Sequence, residues 1–212
     1  MSEFIVKSPK HCAKQGLSGV KKLNKKLWYG LLTFSVSLLS LIFLVYLLLH
    51  PSKPEFYLRE ANLYQLNLSR DLVNSSVQIT LVTKNPNQKV GVYYDQLQLY
   101  ASYKGQQITT QVYLPPFYQG HQDDNILTAF LNGSGLPVAS SFGYEVSRDQ
   151  TAGTLVLNLK INGQVRWRVG SWVSSRYRLN VDCVVVMAFP NFVPGSGGPL
   201  NSNKITQCSS AV

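Results

Sequence analysis

In 212 residues the chain carries twenty Lys/Arg against ten Asp/Glu, a formal charge of +10, with only three cysteines and three histidines. Cysteine that sparse excludes a disulfide-dense scaffold, and no Cys/His spacing suits zinc. Seven of the lysines face one acid within residues 1–26, whereas residues 50–212 hold thirteen Lys/Arg against nine acids, so the basic character belongs mainly to the N-terminal tail. The larger part has no basic helix, aromatic RNA-binding pattern or paired metal ligands, and no nucleic-acid partner is expected.

The tail, residues 1–26, holds Lys7, Lys10, Lys14, Lys21, Lys22, Lys25 and Lys26. Lysines close to a bilayer attract anionic lipid by about 1 kcal/mol each, so Lys21, Lys22, Lys25 and Lys26 are candidate lipid contacts. Cys12 reads as a reduced thiol on that side. Residues 27–49, LWYGLLTFSVSLLSLIFLVYLLL, carry no charged side chain. A helix of that length reaches about 34 Å, enough for a bilayer core. The lysine excess on its N-terminal flank predicts a cytoplasmic N-terminus and an exposed C-terminal part, with Trp28, Tyr29 and Tyr46 at the interfaces. A cleaved signal would have a shorter apolar run and a small-residue cleavage site; this run continues into His50-Pro51-Ser52-Lys53-Pro54, which reads as a signal-anchor.

Pro51 and Pro54 predict a short stiff neck, because proline disfavours helix at itself and at the residue before. Residues 50–190 suffice for one domain with its own core. There the apolar period is two: Val77, Ile79 and Leu81; Leu97, Leu99 and Ala101; Leu155, Leu157, Leu159 and Ile161; Leu179, Val181, Cys183 and Val185. With Glu55–Leu68 this predicts about seven strands and an all-β, antiparallel sandwich preceded by one transmembrane helix. Asn162-Gly163 predicts a hairpin joining 154–161 to 164–169. The less periodic 115–150 stretch suggests a short helix over Asp124–Leu131, and the Gly/Ser/Asn/Pro-rich tail 191–212 reads as irregular.

Three N-x-S triplets, at Asn67, Asn74 and Asn132, lie on the side assigned to the lumen and are candidate glycosylation acceptors. Cys183 and Cys208 lie there too. An even pair in an oxidising compartment invites a bridge, although the apolar run around Cys183 also suits a buried thiol; the bridge, with a loop of about 25 residues, is the expectation taken forward.

Catalytic chemistry has little to work with. His121, near Asp123 and Asp124, is the one ectodomain histidine away from the membrane edge, and a polar turn explains the group. No nucleophile elbow, phosphate loop, zinc spacing or calcium loop occurs, so neither an enzyme nor a cofactor is expected. The basic alternation is more informative. Arg166 and Arg168 flank Trp167, and Arg176 and Arg178 flank Tyr177, so neighbouring strands would place four guanidiniums on one sheet face. That face suits anionic polysaccharide or phospholipid headgroups. The competing reading is a solvated face paired with Asp182 or Glu145; Trp167 and Tyr177 read as core residues rather than a ligand platform. In Pro115-Pro116-Phe117-Tyr118, Phe117 suits either a partner contact or a plug for one end of the sandwich.

Asn85-Pro86-Asn87 followed by Val92-Tyr93-Tyr94-Asp95, then Pro116-Phe117-Tyr118-Gln119-Gly120, then Val165-Arg166-Trp167-Arg168-Val169-Gly170, then Cys183 in the final strand, form an ordered set behind a basic tail and one span. In that order they resemble the plant harpin-induced-like (NHL) family, whose ectodomain is a late embryogenesis abundant group 2 domain. The resemblance implies a fibronectin-III-like sandwich, no enzymatic activity, and a plasma-membrane role in pathogen response. Some relatives are lipid-anchored at the C-terminus; Gln207–Val212 lacks the apolar tail for that, and the trait is not carried over. The leading expectation is a single-pass plasma-membrane glycoprotein of plant defence, binding cell-wall polysaccharide or membrane-protein partners. The alternative is a tethered lipid-binding or lipid-transfer domain. A type II Golgi transferase shares the topology, but Asp123-Asp124 is a thin substitute for an acidic metal motif.

Overall fold

The computed structural model describes residues 16–49, 51–189, 200–202 and 204–212. His11, Cys12 and residues 191–199 lie outside the described residues, as do the side chains of Lys21, Lys22 and Tyr46. Two units follow one another along the chain, dividing between His50 and Pro51.

The first unit contains helix α1, Gly16–Leu49. It begins well before Leu27, its first turns carrying Leu17, Leu23 and four lysines, which have good helix propensity, beside Gly16 and Gly19, which do not. Lys25 through Val45 form its apolar candidate span, and every described side chain there is exposed. A helix of this length that is apolar all round is compatible with membrane anchoring.

The second unit is built from β1 (Glu55–Ser69), β2 (Leu72–Lys84), β3 (Gly91–Tyr103), β4 (Gln106–Gln107), β5 (Val112–Tyr113), β6 (Phe117–Gln119), β7 (Asp124–Pro137), helix α2 (Phe142–Thr151), β8 (Thr154–Val169), β9 (Trp172–Val173), β10 (Tyr177–Ala188), β11 (Leu200–Ser202), β12 (Thr206–Gln207) and β13 (Ser209–Ala211). One sheet runs β11-β1-β2-β7, with β12 also on β1. The other runs β13-β10-β8-β3-β4, with β5 and β6 on β3 and β9 on β8. All pairings are antiparallel. The inner faces meet in one core, in which Phe56, Leu58, Ile79, Leu81 and Leu131 of the first sheet oppose Tyr94, Leu99, Leu157, Ile161 and Val181 of the second. The fold is therefore an all-β antiparallel sandwich, with six long strands and seven short ones among the described residues where the sequence predicts about seven strands.

Three local expectations are corrected. Asn162-Gly163 is not a turn: β8 passes straight through it, with Asn162 paired to Asn180 on one side and Gln98 on the other. Opposite it β3 bulges between Asp95 and Gln98, with Gln96 at φ 49°, and Leu97 folds inward. A Cβ on Gly163 would stand 2.5 Å from Leu97 Cδ2, so the glycine answers a close approach. Asp124–Leu131 is strand rather than helix, because it pairs residue for residue with β2, from Lys84↔Asp124 to Val77↔Leu131. Its outward Ile126 and Phe130, 61% and 59% exposed, mimic a helical apolar spacing. The helix of the second unit is α2, held by Phe142 packed edge-on against Tyr103 at 5.3 Å and by Tyr103 Oη donating to Asp149 Oδ2 at 2.7 Å.

Of the tail expected to be irregular, the described residues 200–202 and 204–212 contain short strands instead. β11 and β12 close the β1 edge and β13 closes the β10 edge, which leaves fewer unpaired backbone groups to template aggregation. Cys208 lies between these pairings, its N–H donating to Phe56 O at 2.9 Å and its sulfur bonded to Cys183, with Cα atoms 4.4 Å apart. The last residues thus tie one sheet to the other.

The Asn85-Pro86-Asn87 motif is a buried polar clamp. Asn85 Nδ2 donates to Val90 O and Gly120 O at 2.8 and 2.7 Å, while its Oδ1 accepts from the N and Nδ2 of Asn87. Asn87 grips Ser52 reciprocally, accepting from its N at 2.7 Å and donating to its O at 2.8 Å. Beside it Tyr94 Oη donates to Gln119 Oε1, and Gln119 Nε2 donates to Thr83 O and Asp123 O. Among the described residues no buried side-chain polar atom lacks a partner, as an ordered polar core requires. Burial pushes the Tyr94 phenol far above its ordinary pKa, so it stays a donor.

Candidate functional site

The four arginines meet on the outer face of the second sheet. Alternation along β8 turns Val165 and Trp167 into the core and Arg166 and Arg168 outward. Across the sheet Tyr93 pairs with Arg166, and Asp95 pairs with Gln164, which pairs with Arg178. Arg166 donates bidentately to Asp95, Nε to Oδ2 at 2.7 Å and Nη2 to Oδ1 at 2.9 Å, and its guanidinium lies 5.3 Å from the Tyr93 ring centre. The hydrogen bond to the Asp95 carboxylate raises the Arg166 pKa above its ordinary value. Arg176 approaches the same carboxylate, with Nε 3.4 Å from Oδ2. Arg168 donates to Tyr93 Oη at 3.1 Å and to Gly170 O at 3.0 Å, and sits 5.4 Å over Tyr118, whose ring packs 4.7 Å from Tyr93. Tyr118 can lie there because Gly91 has no Cβ for it to meet.

One carboxylate thus organises two arginines and two tyrosines order the third, which leaves a net local charge of +3 on the four arginines and Asp95. Fixed guanidiniums are better anion ligands than floppy ones, because the rotamer entropy is already lost. The pairing acid is Asp95, not Asp182 or Glu145: Asp182 pairs with Lys160, and Glu145 lies 3.8 Å from Lys104. Sequence reasoning missed Asp95 because the β3 bulge sets its register against β8. Tyr177 is 47% exposed rather than core, at the start of β10, whereas Trp167 is buried.

Arg178 borders a separate shallow depression of about 400 Å³ on the same face, lined by Gln96, Gln98, Asn162, Gly163, Gln164, Arg178 and Asn180. A second groove, of about 660 Å³, runs beside β7 and is lined by Leu114, Pro115, Phe117, Ile126 and Leu127 with Asp124, Asn125 and Thr128. Phe117 itself stacks 4.5 Å from the buried Tyr94 and closes one end of the core, while Tyr118 beside it faces out.

The three sequons lie on the other sheet. Asn67 pairs with Asn74 across β1 and β2, and Ser76 pairs with Asn132 across β2 and β7. Asn67 and Asn132 are exposed, and Asn74 is half-buried, its Oδ1 accepting from Gly135 N at 2.7 Å. His121 is exposed, and no cluster of His, Cys, Asp or Glu suited to a metal occurs among the described residues.

The family model described as late embryogenesis abundant protein matches residues 80–184, which run from β2 into β10 and include the arginine face and the depression. NDR1/HIN1-like protein 26 of Arabidopsis thaliana is 51% identical over 215 residues, covering 100% of both chains. NDR1/HIN1-like protein 1 of the same plant is 37% identical, covering 88% of this chain and 90% of its own. A solution structure of another Arabidopsis thaliana protein aligns with 15% identity and a TM-score of 0.39, covering 68% of this chain and 87% of its own, a likeness too distant to bear on the fold. Half identity sustained over the whole length, through tail, apolar helix and sandwich alike, places the chain in the NDR1/HIN1-like family.

Proposed function

We propose that the chain is a non-enzymatic, single-pass plasma-membrane glycoprotein that supports pathogen response in plants by binding. In this reading α1 spans the bilayer, Lys21, Lys22, Lys25 and Lys26 hold anionic lipid on the cytoplasmic side, and the sandwich faces the cell wall with glycans on Asn67, Asn74 and Asn132. The observation that carries the binding role is the arginine face: Arg166, Arg168, Arg176 and Arg178 share one outer sheet face with a single carboxylate among them. The three sequons all lie on the opposite sheet, so glycans there would leave that face open.

The test uses the full chain in neutral-lipid nanodiscs and demethylated pectin as the polyanion. Binding should fall as salt rises and the Debye length shrinks from about 10 Å to about 3 Å. Arg168→Gln with Arg176→Gln, which leaves the Arg166 to Asp95 pair intact, should weaken it further. Undiminished binding by the folded double variant overturns the reading. Lipid handling has one observation in its favour, the apolar groove beside β7. Saturable uptake of a fluorescent fatty acid, lost in Ile126→Glu, would favour that reading instead.

A further inference from the structure

The depression bounded by Arg178 differs in kind from the arginine face beside it. Its lining is amide: Gln96, Gln98, Asn162, Gln164 and Asn180, with one guanidinium. The buried amides are bonded internally, as Asn85, Asn87 and Gln119 are in the clamp, whereas exposed ones elsewhere, such as Gln65 and Gln111, stand singly. Among the described residues none of the amides around the depression, nor Arg178, hydrogen-bonds through its side chain to another protein group, and Arg178 has no salt-bridge partner. Gln164 pairs with Arg178, and Gln98, Asn162 and Asn180 form one row across three adjacent strands at about 4.8 Å spacing, so these side chains project from neighbouring positions of one sheet face.

The dent itself is built by the backbone. The β3 bulge, with Gln96 held at φ 49°, is possible because Gly163 leaves room for Leu97 beneath. A bulge carrying a non-glycine residue in the left-handed region bends its strand and re-aims side chains, and such features recur beside binding sites. Tyr113, 60% exposed, pairs with Gln98 across β3 and β5 and therefore stands on the same face beside Gln98, outside the residues that line the depression. An exposed tyrosine presents an apolar ring with a polar tip.

We infer that this depression is a subsite for a uronate-bearing polysaccharide. Amide side chains both donate and accept, which matches the adjacent hydroxyls of a pyranose; Tyr113 offers a platform for its C–H face; Arg178 offers a two-pronged donor for its carboxylate. A purely electrostatic polyanion needs only the arginines. A lipid tail would find no apolar wall here. The inference rests on the cell-surface binding role proposed above and narrows it from polyanions in general to one sugar chemistry.

The experiment compares two probes on the full chain in neutral-lipid nanodiscs: homogalacturonan oligomers, and dextran sulfate as a polyanion without carboxylates. Asn162→Ala with Asn180→Ala should weaken homogalacturonan binding about tenfold, the loss expected from two or so hydrogen bonds, and leave dextran sulfate binding within about twofold. Arg178→Lys, which keeps the charge and loses the fork, should repeat that selectivity, and a thermal melt matching the wild type certifies each variant. Unchanged homogalacturonan affinity in the folded variants overturns the subsite, as does an equal loss for both probes. Wild-type binding of dextran sulfate alone overturns the subsite and leaves the arginine face standing; binding of neither overturns both.

Discussion

Asn85 makes four hydrogen bonds from a fully buried position, and its removal is the sharpest test of the polar clamp. In Asn85→Ala the carbonyls of Val90 and Gly120 lose their donor, and the N and Nδ2 of Asn87 lose their acceptor. Nδ2 of Asn87 keeps Ser52 O, so three groups are left most exposed to the loss. Each newly unsatisfied buried group costs about 1–3 kcal/mol, and admission of a water at the cavity would offset part of the sum, which leaves about 3 kcal/mol. For a domain of this size that lowers the melting temperature by roughly 6–12 °C. The assay is thermal denaturation of the full chain in detergent, with the exposed Gln88→Ala as the neighbour control, expected within about 0.5 kcal/mol of wild type. Asn85→Asp should be at least as damaging, because it turns a carboxylate toward two carbonyls. An Asn85→Ala melt indistinguishable from that of Gln88→Ala would refute the clamp as a source of stability.

Loss of the Cys183–Cys208 bridge frees a loop with a sequence separation of 25, so Cys208→Ala should destabilise by about 2–4 kcal/mol, measured as a lower denaturant midpoint, and added reductant should bring the wild type to the same midpoint. Gly163→Ala should cost about 1–3 kcal/mol by forcing Leu97 from its seat, with Leu97→Ala in the same chain recovering part of the clash; equal melts for wild type and Gly163→Ala would show the bulge to be pliable. The hydrogen bond from Tyr103, aided by Lys104, holds the Asp149 pKa below its ordinary value of 3.8. Because the folded value is the depressed one, the stabilisation is present above the unfolded pKa and is lost as pH falls through the folded value, so Asp149→Asn should flatten the acid limb of the stability profile below about pH 4 and leave its slope near neutrality unchanged.

The sandwich was legible wherever one strand face is buried and the other wet. The alternation of Val77, Ile79 and Leu81, or of Leu155 to Ile161, is what a two-layer core demands of its strands. Reading failed where a residue's role is set across strands. Asn-Gly is a turn signal only if the chain may turn there, and at Asn162-Gly163 the glycine is required by Leu97, which a local window does not reveal. At β7 the outward Ile126 and Phe130 blurred the period-two pattern. Helix α2 offers few cues of its own, since its stability comes from Phe142 on Tyr103 and Asp149 under the Tyr103 hydroxyl, both tertiary contacts. Residues 200–202, 206–207 and 209–211 have loop-like composition yet form short strands, because β1 and β10 supply edges and Cys183 an anchor. At the site, the arginine alternation was readable, whereas Asp95 and the amide row depend on the β3 bulge.

The cell-surface binding role requires the sandwich to lie outside the membrane, and protease added outside sealed protoplasts reads its side directly. With one tag at each end, the C-terminal tag should be lost and the N-terminal tag spared until detergent is added. Loss of the N-terminal tag with protection of the C-terminal one would place the arginine face, the sequons and the Cys183–Cys208 bridge in the cytosol, and would contradict the cell-surface binding role.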